Sequence, residues 1–254
     1  MRIIRFQTHD TIHWGAVEGN DVFLLEGSPF SEHRVSGRSF ALADVRVLAP
    51  CQPSKIVCVG RNYAEHAKEL NNEPPTSPLI FLKPPSAVIG HRDQIVYPPE
   101  SQRVDYEGEI AIVIGRRLRR LAGDAPGAPY ILGFTCLNDI TARDLQKADG
   151  QWTRGKGFDT FCAIGPAVAT DLDPASLSVR THLNGELKQQ GHVREMIFDF
   201  DTLLRYISGV MTLEPGDVIA TGTPAGVGPM QPGDEVTVEV EGVGRLRNTV
   251  VRFE

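Results

Sequence analysis

Apolar and polar residues alternate from the start of the chain, and Arg2 to Gln7, Thr11 to Glu18 and Val22 to Glu26 read as three short strands. A looser stretch runs from there to Pro50 and Pro53, and we place a boundary there between a small N-terminal β domain, residues 1–50, and a larger domain, residues 51–254. Lys55 to Val59 is a continuous apolar run, as a buried strand requires. Arg61 to Leu70 carries the spacing of a short helix, and the breaker-rich Asn71 to Pro78 that of a loop. Leu79 to Lys83, Gln94 to Tyr97, Val104 to Gly115 and Tyr130 to Leu137 read as further strands, the last leading to a short helix over Thr141 to Lys147. Asn184-Gly185 is the signal of a type I′ hairpin. The strongest helix is Phe200 to Met211, where Phe200, Leu203, Leu204, Ile207, Val210 and Met211 recur at helical spacing behind Asp199 as N-cap. Pro215-Gly216 and Pro232-Gly233 each turn the chain into an apolar run, and Glu235 to Val240 with Arg245 to Phe253 predicts a hairpin across Gly242 to Gly244. The pattern therefore predicts an α+β, strand-rich fold with few helices.

Composition narrows this picture. The 254 residues include 25 glycines and 18 prolines, the punctuation of many short elements. With 41% apolar and 23% charged residues the chain is an ordinary globular one, long enough to bury a core without disulfides. Its 26 basic and 32 acidic residues give a net charge of −6, which argues against a nucleic-acid partner or an anionic membrane and leaves a small molecule. Cys51, Cys58, Cys136 and Cys162 form no C-x-x-C pair, so they are expected to be core thiols of a reducing compartment. Met1 to Trp14 lacks the layout of a secretory signal, and no segment approaches a membrane span; we expect a cytoplasmic protein.

Some residues suggest chemistry. Glu107 and Glu109 stand two apart in an apolar strand, so both carboxylates share one face, with Asp105 beside them. Like charges buried together repel unless a cation or protons compensate, while a solvated sheet face is the plainer alternative. Asp139, at the end of the next apolar run, adds a third oxygen donor, and an all-oxygen set favours Mg²⁺ or Mn²⁺, then Ca²⁺. His66 and Glu69 lie three apart on the predicted helix, an arrangement that suits a general base or, equally by spacing, a solvated face. Gly150 to Gly157 nearly spells a phosphate loop but ends in glycine where Ser or Thr belongs, which excludes nucleoside triphosphate binding. Lys156 within it either approaches an anionic ligand or is an exposed loop cation. Gly222 to Gly228 either presents N–H groups to a carboxylate or is an ordinary turn, and Arg116, Arg117, Arg119 and Arg120 read as a solvated loop.

Five motifs occur in order: Lys55-Ile-Val-Cys-Val-Gly-Arg-Asn-Tyr-Ala-Glu-His-Ala-Lys-Glu69, Glu107-Gly-Glu109, Asn138-Asp139-Ile-Thr-Ala-Arg143-Asp144, Trp152-Thr-Arg-Gly-Lys156 and Thr221-Gly-Thr-Pro-Ala-Gly-Val-Gly228. Together they resemble the fumarylacetoacetate hydrolase family, in its short acylpyruvase and 2-hydroxyhepta-2,4-dienedioate isomerase branch. The resemblance implies a mixed β-sheet roll behind a small N-terminal domain, a divalent metal with no organic cofactor, and a homodimer. It places Glu107, Glu109 and Asp139 on metal ligands and His66 with Glu69 on the water-activating pair. Arg143, Gln146, Lys156 and Thr223 fall on positions that hold the 2-oxo acid end, with Lys156 also counted among the catalytic residues. Arg61, Tyr63, Lys83 and Gly222 are further candidates for substrate contact. The longer members carry an additional aspartate ligand before the histidine, which Gly60-Arg61-Asn62-Tyr63 lacks, so fumarylacetoacetate itself is a doubtful substrate.

The expected reaction is hydrolysis of the C–C bond of an acylpyruvate such as fumarylpyruvate or acetylpyruvate. The alternatives are isomerisation or decarboxylation of an unsaturated dioate, oxaloacetate decarboxylation or tautomerisation, and a homologue that binds without turnover. The wall beyond the pyruvyl half is expected from Asn71 to Pro78, Lys83 to Gly90 and Phe158 to Phe161.

Overall fold

A computed structural model describes residues 1–69 and 73–253; Leu70, the end of the expected helix, and Asn71 and Asn72, the start of the expected loop, lie outside them. Among the described residues three sheets form, and the largest sets the frame. Its strands run, edge to edge, His33–Ala41, Asp21–Gly27, Thr11–Glu18, Arg2–Thr8, Cys162–Ala169, Ile131–Asp139, Gly108–Ile114, Val218–Ala220, Ile56–Gly60 and Leu79–Lys83. Arg46–Leu48 and Val88–Ile89 add to Arg2–Thr8 and Cys162–Ala169. Most pairings are antiparallel, but Val218–Ala220 lies parallel to Ile56–Gly60, so the sheet is mixed. The fold is α+β and strand-rich, as the sequence predicts.

The middle strands are buried on both faces, which explains their unbroken apolar runs. Along Gly108–Ile114, Ile110, Ile112 and Ile114 enter one core cluster while Ala111 and Val113 enter another. Val57 and Val59 split from Ile56 and Cys58 in the same way. The first cluster is closed by a five-stranded sheet, in the order Glu186–His192, Ser178–Leu183, Glu235–Val240, Gly244–Arg252 and Gln94–Tyr97. Helix Phe200–Val210 seals it with Phe200, Leu203, Leu204 and Ile207, and Asp199 caps the helix by accepting from Thr202 N at 2.8 Å. The Asn184-Gly185 turn has positive φ at both residues (52° and 81°), as a type I′ hairpin needs.

Several expectations are corrected. The stretch after Glu26 is not loose: His33–Ala41 is a strand of nine residues, hidden in the sequence because it is a polar, largely exposed sheet edge. The helix after Gly60 begins at Ala64, with Arg61 and Asn62 in the turn before it. The helix expected over Thr141 to Lys147 runs Arg143–Asp149, and Thr153–Gly157 is a helical turn where a loop was expected. Val104 to Gly115 is two strands, Val104–Tyr106 and Gly108–Ile114, in different sheets. Side chains cause that break: Glu107 N donates to Asn138 Oδ1 (2.9 Å) and Gly108 N to Gln189 Oε1 (3.0 Å), in place of a sheet ladder. Gly108 is required here, because a Cβ would come within 1.9 Å of Thr181 Oγ1. All four cysteines are buried and free. No helix among the described residues is long and apolar enough to cross a membrane.

Candidate active site

The break at Glu107 makes the site possible. Glu107 leaves the strand, Glu109 re-enters it one residue after Gly108, and Asp139 ends the neighbouring strand Ile131–Asp139, whose Asp139 N donates to Glu107 O at 2.8 Å. The three buried carboxylates bring one oxygen each within 4.8 Å of one another. Burying an ion costs several kcal/mol, so such a cluster needs compensation. Lys156 bridges Glu107 (2.8 Å) and Asp139 (2.6 Å), Lys83 donates to Asp139 at 2.5 Å, and Arg143 reaches Glu107 at 2.5 Å. Asp105 is not a fourth member of this face. It anchors Arg143 from behind at 2.9 Å and takes Arg103 on its other side.

These cations are distributed unevenly. Burial alone would raise the Glu107 carboxyl, but Lys156, Arg143 and His66 outweigh it and hold it far below the ordinary carboxylate range. Glu109 has no ion pair among the described residues and accepts one backbone hydrogen bond, from Gly222 N at 2.8 Å. Its burial, with Asp139 and Glu107 beside it, pushes its pKa well up. Three hard oxygen donors, one of them without a cation, are a donor set that fits a divalent ion. Lys156 is no exposed loop cation: it is 2% exposed, and although burial would lower its pKa, Asp139 and Glu107 raise it.

His66 and Glu69 come from helix Ala64–Glu69 and face the same cleft, a cavity of about 440 Å³. His66 Nδ1 lies 3.3 Å from Glu69 Oε2, which makes Nδ1–H the donor and leaves Nε2 as the basic nitrogen. Gly226 N donates to both oxygens of Glu69, at 3.1 and 3.2 Å.

The cleft is lined by Arg61, His66, Glu69, Glu107, Glu109, Asp139, Arg143, Gln146, Lys156 and Thr223, so ten of the candidate residues converge. Three do not line it. Lys83 sits behind Asp139, with its second bond to Ile140 O at 3.1 Å, because an ammonium in the apolar sheet needs both partners. Tyr63 is buried in the bridge to Met196, its hydroxyl without a hydrogen-bond partner and its pKa raised, chiefly by burial. Gly222 spends its N–H on Glu109. The glycine loop therefore does hold carboxylates, but they are the protein's own.

The wall also differs from expectation. Phe81 and Trp152 line the cleft, in T-shaped contact with ring centroids 5.1 Å apart, whereas the expected Lys83, Pro84, Pro85 and Phe158 line only the groove that adjoins it. Trp152 opens the fourth of the five motifs, but nothing in that motif marked it as a wall of the cleft. Asn62 is a further missed residue, pinning the start of helix Ala64–Glu69 through Phe198 O (3.0 Å), Phe198 N (2.8 Å) and Thr221 O (2.8 Å).

The chain is similar to known proteins along almost its whole length. Residues 55–251 match the family model described as fumarylacetoacetate (FAA) hydrolase, C-terminal, and residues 1–50 match the one described as Rv2993c-like, N-terminal. Protein Rv2993c of Mycobacterium tuberculosis is 47% identical over 262 residues, covering 99% of this chain and 98% of its own. A solved structure named 5-carboxymethyl-2-hydroxymuconate delta-isomerase, from Mycobacterium smegmatis, superposes with a TM-score of 0.93 at 45% identity, covering 100% of both chains. The mitochondrial oxaloacetate tautomerase FAHD2B of Bos taurus is 44% identical over 223 residues, 82% of this chain and 70% of its own.

Proposed function

The chain belongs to the fumarylacetoacetate hydrolase family, and on that premise we propose that it is a divalent-metal-dependent enzyme that hydrolyses the C–C bond of an acylpyruvate. One observation carries this reading: a His66–Glu69 pair faces the same cleft as the three acids. A site that only bound a 2-oxo acid would need no base there.

Glu107, Glu109 and Asp139 would hold Mg²⁺ or Mn²⁺. The bound ion would supply Lewis-acid stabilisation for negative charge developing on the keto oxygen of the substrate. His66 Nε2 takes a proton from water while Glu69 holds Nδ1–H and stabilises the charge that forms on the ring. The water oxygen adds to the distal acyl carbonyl. The bond to the central methylene carbon then breaks, its electron pair leaves as the enolate of pyruvate, and His66 returns the proton. Lys156 and Arg143 keep Glu107 ionised and in place throughout, and Gln146 and Thr223 would meet the 2-oxo acid end.

A second reading is supported by the names of the relatives: an enolate formed in the same cleft also serves isomerisation of an unsaturated dioate or tautomerisation of oxaloacetate. That chemistry needs proton transfer but no attacking water. Mass spectrometry of products across acylpyruvates, oxaloacetate and unsaturated dioates tests the choice. Acylpyruvate cleavage to pyruvate and a carboxylic acid is the expected result. Enol–keto conversion without cleavage would transfer the assignment to the second reading.

A further inference from the structure

The cleft continues through Arg61, Phe81, Gly150 and Trp152 into a larger groove of about 1060 Å³, since these four residues line both. None of the three acids lines the groove, so this junction is the end of the site away from them. Arg61 is held there against its backbone preference, at φ 59°, between the buried strand Ile56–Gly60 and the pinned Asn62. Its guanidinium lies over the Trp152 ring, 6.0 Å from the centroid. Trp152 is fixed in turn by Phe81 and by Gly60, where a Cβ would meet the indole at 2.9 Å.

Arg61 is also unspent. Lys156, Lys83 and Arg143 are consumed by the acids, whereas Arg61 makes no ion pair and no side-chain hydrogen bond among the described residues. A half-buried planar cation with its donors free, stacked on an indole at the far end of a substrate cleft, is suited to a carboxylate. We propose that Arg61, seated on Trp152, binds a second carboxylate at the distal end of the substrate, so that the site selects dicarboxylic 2-oxo acids over equally long acids with a neutral end. This rests on the reading of the three acids as the 2-oxo acid end.

Calorimetry on the Mg²⁺-loaded protein with 2-oxoadipate and 2-oxohexanoate, equal in length and different in the terminal carboxylate, tests it. The wild type should prefer 2-oxoadipate by at least about tenfold. Arg61→Asn, whose side chain tolerates positive φ, should bring the two dissociation constants within about twofold of each other, and Arg61→Lys should keep part of the preference. Lys147→Gln removes another cleft cation with no ion pair among the described residues and should leave the ratio unchanged. Equal binding of the two ligands by the wild type, a preference that survives Arg61→Asn, or its equal loss in Lys147→Gln would overturn the proposal. Binding of neither ligand by the wild type would instead strike the reading of the acids, and the role of Arg61 would fall with it.

Discussion

Glu109 and His66 face one cleft, yet the protein holds them by different means. Glu109 grows from a strand buried along its whole length, and its neighbours Glu107 and Asp139 are gripped by Lys156, Lys83 and Arg143. His66 grows from a helix of six residues, anchored by the bond from Ala67 N to Tyr63 O, the bridge from Tyr63 to Met196 and the bond from Gly226 N to Glu69. Converging carboxylates repel, so only a rigid frame with matched cations keeps them together. An imidazole beside a carboxylate needs no such frame, and among the described residues the helix is tied down mainly at its start, by Asn62, which gives it a lower local stability than the sheet. The carboxylate end is thus coupled to the stability of the fold, and the histidine end is largely separate from it.

Substitutions can break that contrast. Glu107→Ala should do the most damage, abolishing divalent binding by calorimetry and reducing turnover to background. It should also destabilise the fold by about 3–5 kcal/mol in denaturant titration, because Lys156 and Arg143 lose a buried partner. His66→Ala should lower acylpyruvate hydrolysis by about 10²–10⁴-fold while costing less stability than Glu107→Ala. If the two cost the same stability, the contrast between the ends is wrong. Glu69→Gln should lower turnover about 10- to 100-fold with little change in KM, since it disturbs the orientation of His66 rather than its presence.

A pH effect sharpens the comparison with less perturbation. Glu109 is raised in the metal-free fold, chiefly by burial, so it favours the folded state most below the ordinary carboxylate range and loses that contribution as pH rises through its folded pKa. The same proton competes with the ion, so divalent affinity should rise with pH, and proton release on binding should be measurable in buffers of different ionisation enthalpy. Glu109→Gln should remove the part of the pH dependence of metal-free stability that Glu109 contributes, together with the metal binding. A divalent affinity flat across that range would show that Glu109 does not hold the competing proton.

Much of this was legible in the sequence, for reasons that differ by region. Phe200–Val210 was readable because its apolar stripe and its cap agree, and Leu79–Lys83 because a strand was flanked by breakers. The convergence of Glu107, Glu109 and Asp139 followed from the motifs, but the simple two-residue period did not survive, since Asn138 and Gln189 interrupt the strand at Glu107. Those side chains come from distant positions, and local pattern carries no trace of them. The role of the glycine loop was half visible: its free N–H groups could be foreseen, their occupation by Glu109 and Glu69 could not. His33–Ala41 escaped because an exposed edge strand needs no alternation of polarity.

The N-terminal strands extend the main sheet rather than standing apart, with Arg2 and Ile3 opposite Ala169 and Val168. They therefore act as a lid over a hydrogen-bonding border. A shortened chain starting at residue 51 would bare the backbone at Val168 and Ala169 and uncover Ala167, which packs with Ile4 and Phe6. Its hazard would be self-association through that border, a stickiness unrelated to the chemistry in the cleft.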